Sequence, residues 1–147
     1  MWFWWDVGVT SRANRRPFCG VLALNLGFQF PRVGRATQVE LLRLLVRKTA
    51  GEMDQMPHPE VEKRLSDKVS MCNYWANRLV CEAADRAMQV HGGIGYSRHK
   101  PFEHIYRHHR RYRITEGSEE IQIRRVAGYL FGFMGQQAPK GVASVQG

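Results

Sequence analysis

The sequence predicts an all-α fold, an antiparallel helical bundle preceded by an irregular N-terminal arm. Apolar residues recur every three or four positions from residue 32 onward, and no segment shows the alternation typical of a strand. The chain has 147 residues, of which 44% are hydrophobic, and this is enough apolar material for a packed core. It is therefore expected to be one domain or one part of a larger protein.

The first predicted helix begins at Arg32 and ends near Asp54, and an apolar stripe on one face supports it. The stripe consists of Val39, Leu42, Val46, Thr49 and Met53. The second and longest predicted helix starts at Pro59, a residue suited to a first helical turn, and ends at about His91. Its own stripe continues into the small residues Ala83, Ala84 and Ala87, which allow another backbone to approach closely.

Glycines and a proline separate this long helix from two shorter ones. Gly92 and Gly93 end it, and the segment 92–100 is expected to be a loop. Pro101 opens a short helix that ends near Arg111. The segment Ile114–Ser118 is a predicted turn, with Ser118 as the N-cap of a last helix that carries Ile121, Val126, Leu130 and Phe133.

The two ends of the chain lack helical periodicity. Residues 1–31 contain Trp2, Trp4 and Trp5 and are expected to form a poorly ordered arm, or alternatively an aromatic anchor on a partner. Residues 135–147 are rich in Gly, Ala, Ser and Gln and are expected to be disordered. The helical domain should therefore occupy residues 32–134.

Charge and cysteine content restrict the class of protein. Lys and Arg number 22 against 13 Asp and Glu, and the net charge of +9 favours an anionic partner such as nucleic acid, a membrane surface or a phosphate ligand. The cysteines Cys19, Cys72 and Cys81 form no CxxC pair, which indicates a reducing compartment rather than a disulfide framework. Since no apolar run approaches ~20 residues, no membrane span is expected. Asp6 interrupts the apolar start, so no secretory signal is expected either.

Three segments contain residues that could take part in chemistry, and each also has a structural explanation. In Gln89–Tyr96, adjacent glycines would let a phosphate approach the backbone, although the same glycines can simply stop a helix. This is not a dinucleotide fingerprint, because the segment follows a helix and lacks the third glycine at the required spacing. The second segment, Arg98–Arg113, interleaves basic and aromatic residues, a composition that suits nucleic acid, a solvated basic face or ion pairing with another chain.

Within the basic segment, His104 and His108 are four residues apart and could share a metal on one helix face. No carboxylate or cysteine completes a convincing ligand set, so no metal site is predicted. In the third segment, Ile114–Gln122, Glu116 lies between a basic helix and a helix start and is followed by Gly117. A carboxylate in this position can act as a general base when substrate excludes water, or it can be an ordinary surface residue.

Together, the three segments resemble the C-terminal helical domain of the acyl-CoA dehydrogenase family. That family carries Q-x-x-G-G-x-G-[YF], then P-x-E-R-x-[YF]-R-D-x-R, then Y-E-G-T-x-E-I-Q. The matching residues here are Gln89, Gly92, Gly93, Gly95, Tyr96, Pro101, Glu103, Tyr106, Arg107, Arg110, Glu116, Gly117, Glu120, Ile121 and Gln122. Including the two preceding helices, the resemblance covers about residues 32–134.

The resemblance implies a flavin-dependent dehydrogenation of acyl-CoA thioesters. In this family a carboxylate removes the α-proton while FAD accepts the β-hydride, and the product is a trans-2-enoyl-CoA. Glu116 matches the base of the branch with an EG-T/S motif, and Gly117 matches the residue that leaves room for the thioester. The implied FAD contacts are Gln89, Val90, His91, Gly92, Gly93, Ser118 and Glu120, the first five of them toward the FAD of a neighbouring subunit.

The sequence departs from the family pattern at several positions. His104 replaces the usual arginine and His108 the usual aspartate, so an ion pair normally found there is not expected. Ser118 replaces threonine and keeps the hydroxyl, while Gly128 stands where some relatives have an arginine.

Full family members contain several hundred residues, with an N-terminal helical domain and a middle β-domain before this bundle. The chain is therefore expected to be a truncated product, inactive on its own, whose residues 1–31 are foreign to the domain. The alternative is a non-catalytic oligomerisation module derived from the domain. By resemblance, the expected partners are acyl-CoA and further copies of the chain, as a dimer or tetramer, rather than nucleic acid. The expected compartment is mitochondrial, peroxisomal or bacterial cytoplasmic.

Overall fold

A computed structural model describes residues 24–132, which form helices joined by turns. The helices are α1 (Leu26–Asp54), α2 (His58–Arg64), α3 (Ser66–His91), α4 (Gly93–Tyr96), α5 (Phe102–Arg111) and α6 (Glu119–Leu130). No strand occurs within residues 24–132, so the predicted all-α class is confirmed. The chain divides into two compact units between Glu40 and Leu41, within α1, and everything discussed as a site lies in the second unit.

Helix α1 begins at Leu26, six residues before the predicted start at Arg32. The expectation of irregular structure is thus wrong for residues 26–31. Asn25 caps this end, because its side-chain oxygen accepts the N–H of Gly27 at 2.9 Å. Pro31 lies inside the helix, where it has no N–H to donate to the carbonyl of Gly27. Residues 1–23 and 133–147 lie outside the described part of the chain, so the division into arm, domain and tail stays a prediction.

The long helix predicted from residue 59 to residue 91 is divided into α2 and α3 at Leu65. Leu65 has φ −116° and ψ 4°, which departs from helical geometry, and its side chain is buried. Just before the break, the Tyr129 hydroxyl of α6 donates to the carbonyls of Glu62 and Lys63 at 3.3 and 2.9 Å. These carbonyls end α2 and gain a partner outside the helix, so the chain can bend without leaving them unsatisfied.

The glycines after α3 end the helix as predicted. Gly92 has a left-handed backbone, with φ +64°. The predicted loop that follows nevertheless contains one helical turn, α4. A side chain at Gly95 would place its Cβ 2.6 Å from the Cβ of His91 and 2.7 Å from the carbonyl oxygen of Met88. Only glycine fits there, so α4 can fold back directly against the end of α3.

Helix α3 is the centre of the second unit, since α2, α4, α5 and α6 all pack on it. The buried apolar residues of these elements are Leu65, Leu79, Cys81, Ala84, Phe102 and Val126. Arg78 of α3 pairs with Glu119 at the start of α6, and Tyr129 near its end reaches α2. Helix α6 therefore runs antiparallel to α2 and α3, as expected for the bundle.

Ser70 offers a test of the packing of α3. Its side chain is 1% exposed, and its hydroxyl finds no hydrogen-bond partner within residues 24–132. Burying an unpaired hydroxyl costs free energy, so Ser70→Ala should raise the free energy of unfolding by roughly 1 kcal/mol. Urea denaturation followed by circular dichroism measures the change. Ser97→Ala is the matched control, because the Ser97 hydroxyl donates to the Ile94 carbonyl at 2.8 Å and its removal should not stabilise the fold. A loss of stability in Ser70→Ala would contradict the unpaired state of that hydroxyl.

Candidate functional site

The turn between α5 and α6 holds Glu116 in an unusual backbone conformation. Glu116 has φ +61° and Gly117 has φ +89°. Glu116 is the one non-glycine residue with positive φ in the described range 24–132. A left-handed conformation costs such a residue about 1 kcal/mol, so neighbouring contacts must hold it. One of them is the side-chain amide of Gln122, which donates to the Glu116 carbonyl at 3.2 Å.

A second set of contacts closes the base of the same turn. The backbone N–H of Glu119 donates to the Arg113 carbonyl at 3.1 Å. Arg113 Nε in turn donates to Glu119 Oε2 at 2.6 Å. Glu119 Oε1 accepts from Arg78 on α3, with Nε at 2.9 Å and the guanidinium Nη2 in close contact. We call Arg78, Arg113 and Glu119 the Glu119 ion-pair cluster.

Burial and charge act in opposite directions on this cluster. The side chain of Glu119 is only 7% exposed, and burial by itself would raise the carboxyl pKa. The hydrogen bonds from Arg78 and Arg113 outweigh burial, so the pKa of Glu119 lies below its ordinary value. Next to the cluster, burial raises the pKa of the Cys81 thiol, although the nearby Arg113 acts to lower it. The protonated thiol is therefore favoured.

A pocket of about 460 Å³ lies beside the turn, between α3 and the end of α5. Its lining residues are Val69, Cys72, Asn73, Ala76, Asn77, His109, Tyr112 and Glu116. The structure therefore places the predicted catalytic residue Glu116 at a pocket rather than on a featureless surface. Asn77 is oriented within the wall, because its amide donates to Asn73 Oδ1 at 2.9 Å.

Sequence reasoning did not identify the other residues of this pocket. Val69, Cys72, Asn73 and Ala76 follow helical spacing and share one face of α3. Periodicity alone does not separate a buried core face from a pocket wall, so the spacing of these residues does not reveal the pocket. His109 was included only as part of a basic segment. Burial lowers its pKa, and the neighbouring charge of His108 adds to the effect, so a neutral imidazole is favoured at the pocket.

The predicted cofactor residues at the end of α3 form a separate corner. A Cβ at Gly92 or at Gly93 would meet nothing within 4 Å, so the backbone there is open to a ligand. His91 has a structural environment: its ring packs 4.5 Å from that of Phe102, and its Nδ1 donates to the Ala87 carbonyl at 2.8 Å. Gln89 is exposed and Val90 is half-buried. Any ligand at this corner would thus meet backbone atoms and Gln89 before the His91 ring.

The remaining predicted residues lie at the start of α6. Ser118 is the N-cap residue, as predicted, but its side chain makes no capping bond to the backbone. Its hydroxyl lies near the exposed carboxylate of Glu120. The pKa of Glu120 is lowered by its own backbone N–H and, to a smaller extent, by this hydroxyl.

The structure does not bring the two groups of predicted residues together within one chain. Arg78 lies beside the Glu116 turn, and Gly92 follows it by fourteen residues along α3. A helix rises 1.5 Å per residue, so the glycine corner is ~20 Å from the turn along the helix axis. A ligand that touches the pocket could not also lie on the glycine corner without extending along most of α3.

The basic helix α5 also contains contacts between its own side chains. Arg107 pairs with Glu103, and the rings of His104 and His108 stack with centroids 6.1 Å apart. Across residues 24–132, no group of three or more His, Cys, Asp or Glu side chains is arranged to hold a metal ion. Among the same residues, no helix is both long enough and apolar enough to span a membrane.

Most of the sequence matches one protein family. The sequence matches the family described as acyl-CoA dehydrogenase, C-terminal domain, over residues 11–131. This match begins upstream of the domain boundary expected at residue 32. It also ends close to the last described residue, so it includes the Glu116 turn and the glycine corner.

Individual relatives are similar over most of this chain but over a smaller part of their own length. The chain is 33% identical to the mitochondrial short-chain specific acyl-CoA dehydrogenase of Bos taurus, covering 85% of this chain and 29% of that protein. It is 29% identical to the caffeyl-CoA reductase–Etf complex subunit CarC of Acetobacterium woodii, covering 85% and 31%. The structure resembles that of glutaryl-coenzyme A dehydrogenase in complex with glutaryl-CoA, with a TM-score of 0.77 and 29% identity, covering 90% and 32%. The chain thus spans about a third or less of the length of these relatives.

The pH dependence of stability tests the Glu119 ion-pair cluster. Because the folded-state pKa of Glu119 lies below the ordinary value of 4.5, its stabilisation is fully present above pH 4.5 and is lost as the pH falls through the folded value. Glu119→Gln should lower the free energy of unfolding by roughly 2–3 kcal/mol at pH 7. The difference in the free energy of unfolding between Glu119→Gln and the native chain should become smaller below pH 4.5. Urea denaturation across pH 3–7 measures it. Glu60→Gln, which removes an exposed ion pair with Arg64, is the control and should change stability by less than about 1 kcal/mol. A Glu119→Gln deficit that does not change down to pH 3 would contradict the assignment.

Proposed function

Since this chain belongs to the acyl-CoA dehydrogenase family through its C-terminal domain, we propose that it provides the proton-abstracting part of a flavin-dependent acyl-CoA dehydrogenase. The observation that carries the proposal is the position of Glu116 at the rim of the pocket between α3 and α5. The apolar part of the wall, Val69 and Ala76, suits the alkyl portion of an acyl group.

In the proposed reaction, the Glu116 carboxylate removes a proton from the α-carbon of the thioester. The α-proton is weakly acidic, so the base must be fixed beside it and shielded from water when substrate is bound. Glu116 is exposed in the chain described here, and the bound acyl group would provide the missing cover. Gly117, with φ +89°, is the residue we propose the thioester passes at the turn. A Cβ there would lie 3.1 Å from Gln122 Nε2, so the absence of a side chain also lets Gln122 pack against the turn.

The family is FAD-dependent, and the residues present fit part of an FAD site. Gly92 and Gly93 present open backbone, which suits a phosphate group, and Gln89 lies exposed beside them. When bound, FAD supplies the acceptor for the β-hydride. We propose that Gln89, Val90, His91, Gly92 and Gly93 contact FAD, with His91 contributing its backbone.

Ser118 and Glu120 are the second group of proposed FAD contacts, at the turn. The ~20 Å that separates this turn from the glycine corner supports contacts with two different FAD molecules, one of them bound by a neighbouring subunit. Under this proposal the protein acts as a homo-oligomer, a dimer or a tetramer, with acyl-CoA as its substrate. The chain spans about a third or less of its relatives' length, so we further propose that it does not complete dehydrogenation without additional protein segments.

Proton abstraction can be measured separately from hydride transfer. The full chain, incubated with butyryl-CoA in D2O, should exchange α-protons for deuterium, and mass spectrometry follows the exchange. Glu116→Gln removes the base and should slow the exchange by about a hundredfold or more. Glu103→Gln, which changes another carboxylate of the same region, should leave the rate unchanged. Reduction of an electron-accepting dye with added FAD should be absent for the chain alone. Exchange that survives in Glu116→Gln would assign the base to another residue.

The exposed apolar residues of α1 favour a second candidate function, an oligomerisation module without catalysis. Leu41 and Leu44 are each 61% exposed, and they lie three residues apart on one side of the helix. Large apolar side chains exposed next to one another are typical of a surface that packs against another chain.

Light scattering after size exclusion tests this candidate at micromolar concentration. The native chain should elute as a dimer or larger, because association buries the Leu41 and Leu44 side chains. Leu44→Glu should shift the population toward the monomer. Val46→Glu, at an exposed residue on the opposite side of α1, is the control and should leave the population unchanged. A native chain that is monomeric throughout would exclude this function.

A further inference from the structure

We propose that Glu119 is a positioning residue for Glu116, acting through the two arginines of the Glu119 ion-pair cluster. The inference rests on the proposed function, because it concerns how the proposed base is held at the pocket. Glu119 itself does not line the pocket; it lies buried behind the turn, where its carboxylate meets Arg78 and Arg113.

The geometry of the turn gives the first step. Arg113 and Glu119 stand at the two ends of the segment that carries Glu116. They are joined twice, by the backbone bond of 3.1 Å and by the side-chain bond of 2.6 Å. A segment of this length with fixed ends has few backbone conformations available, and the one observed requires φ +61° at Glu116.

The anchoring to α3 gives the second step. Arg78 links the same carboxylate to α3. The turns of α3 that precede Arg78 form the pocket wall, where Asn73 and Asn77 lie. Arg78 is itself restrained by the rings of Tyr74 and Trp75, with centroids 5.8 and 5.7 Å from its guanidinium carbon. Glu119 therefore fixes the turn relative to the pocket wall as well as closing it.

Gln122 gives the third step, because it ties the cluster to Glu116 itself. It lies one turn after Glu119 on α6, is buried, and donates to the Glu116 carbonyl at 3.2 Å. When the Glu119 carboxylate is neutralised, the start of α6 is no longer pulled toward both arginines. We then expect Glu116 to relax toward negative φ, which turns its side chain away from the pocket.

The backbone of Glu116 can be followed independently of activity. The three-bond coupling between its amide proton and Hα depends on φ and is measured by NMR on the folded full chain. In Glu119→Gln this coupling should change. The amide of Thr115, which donates to the Arg111 carbonyl at 3.0 Å, should exchange faster with solvent. The α-proton exchange of butyryl-CoA should fall roughly ten- to a hundredfold, while the Kd for butyryl-CoA, measured by calorimetry, should stay within about twofold. A loss of stability alone would not lower the exchange rate while leaving the Kd for butyryl-CoA unchanged.

Two further variants keep the test decisive. Arg113→Lys retains the charge but cannot make the same fixed guanidinium contact, so it should also change the Glu116 coupling. This variant provides the test if Glu119→Gln does not fold. Glu60→Gln, remote from the turn, should alter neither coupling nor exchange. An unchanged Glu116 coupling in both cluster variants would overturn the proposal. If the coupling changes but the native chain exchanges no α-protons, the positioning role stands and the proposed catalytic function fails.

Discussion

The carboxylate of Glu119, shared between Arg78 and Arg113, is the interaction on which the arrangement of the site depends. Here α3, the turn after α5 and the start of α6 meet through two arginines and the buried Glu119 carboxylate. A buried carboxylate is costly unless it is paired and hydrogen-bonded, and here two guanidinium groups meet that requirement. The same contacts define the ends of the turn that carries Glu116.

The antiparallel course of α6 along α2 and α3 extends this arrangement over the second unit. At one end Glu119 binds Arg78, and at the other the Tyr129 hydroxyl binds the last carbonyls of α2. These contacts are polar and directional, whereas the packing between them is apolar and includes Val126. The apolar contacts stabilise the layer, and the polar contacts at both ends set its register.

The positions of the pocket and the glycine corner on α3 have a consequence for how such a protein is organised. The pocket lies near the N-terminal half of the helix, and Gly92 follows its last residue. The helix keeps the two regions apart, so under the proposed function one chain would present them to different ligands or to different subunits. This separation is consistent with a family whose members are several times longer than the chain described here, and it gives a physical reason for subunit association in the proposed function.

The sequence by itself determined the all-α class, most helix positions and the family, because apolar periodicity and the spacing of glycine, proline and Glu116 are local properties of the chain. It also indicated Ser118 as the residue that begins α6 and Gly92 as the end of α3. The tertiary structure decided what depends on contacts between distant segments. The carbonyls that end α2 before the break at Leu65 are bound by Tyr129, more than sixty residues away along the chain. The buried carboxylate of Glu119 is likewise paired with Arg78, a contact between segments 41 residues apart that the local sequence does not reveal. The pocket wall could not be separated from the core by sequence, because both follow the same helical period and only packing decides which face remains open.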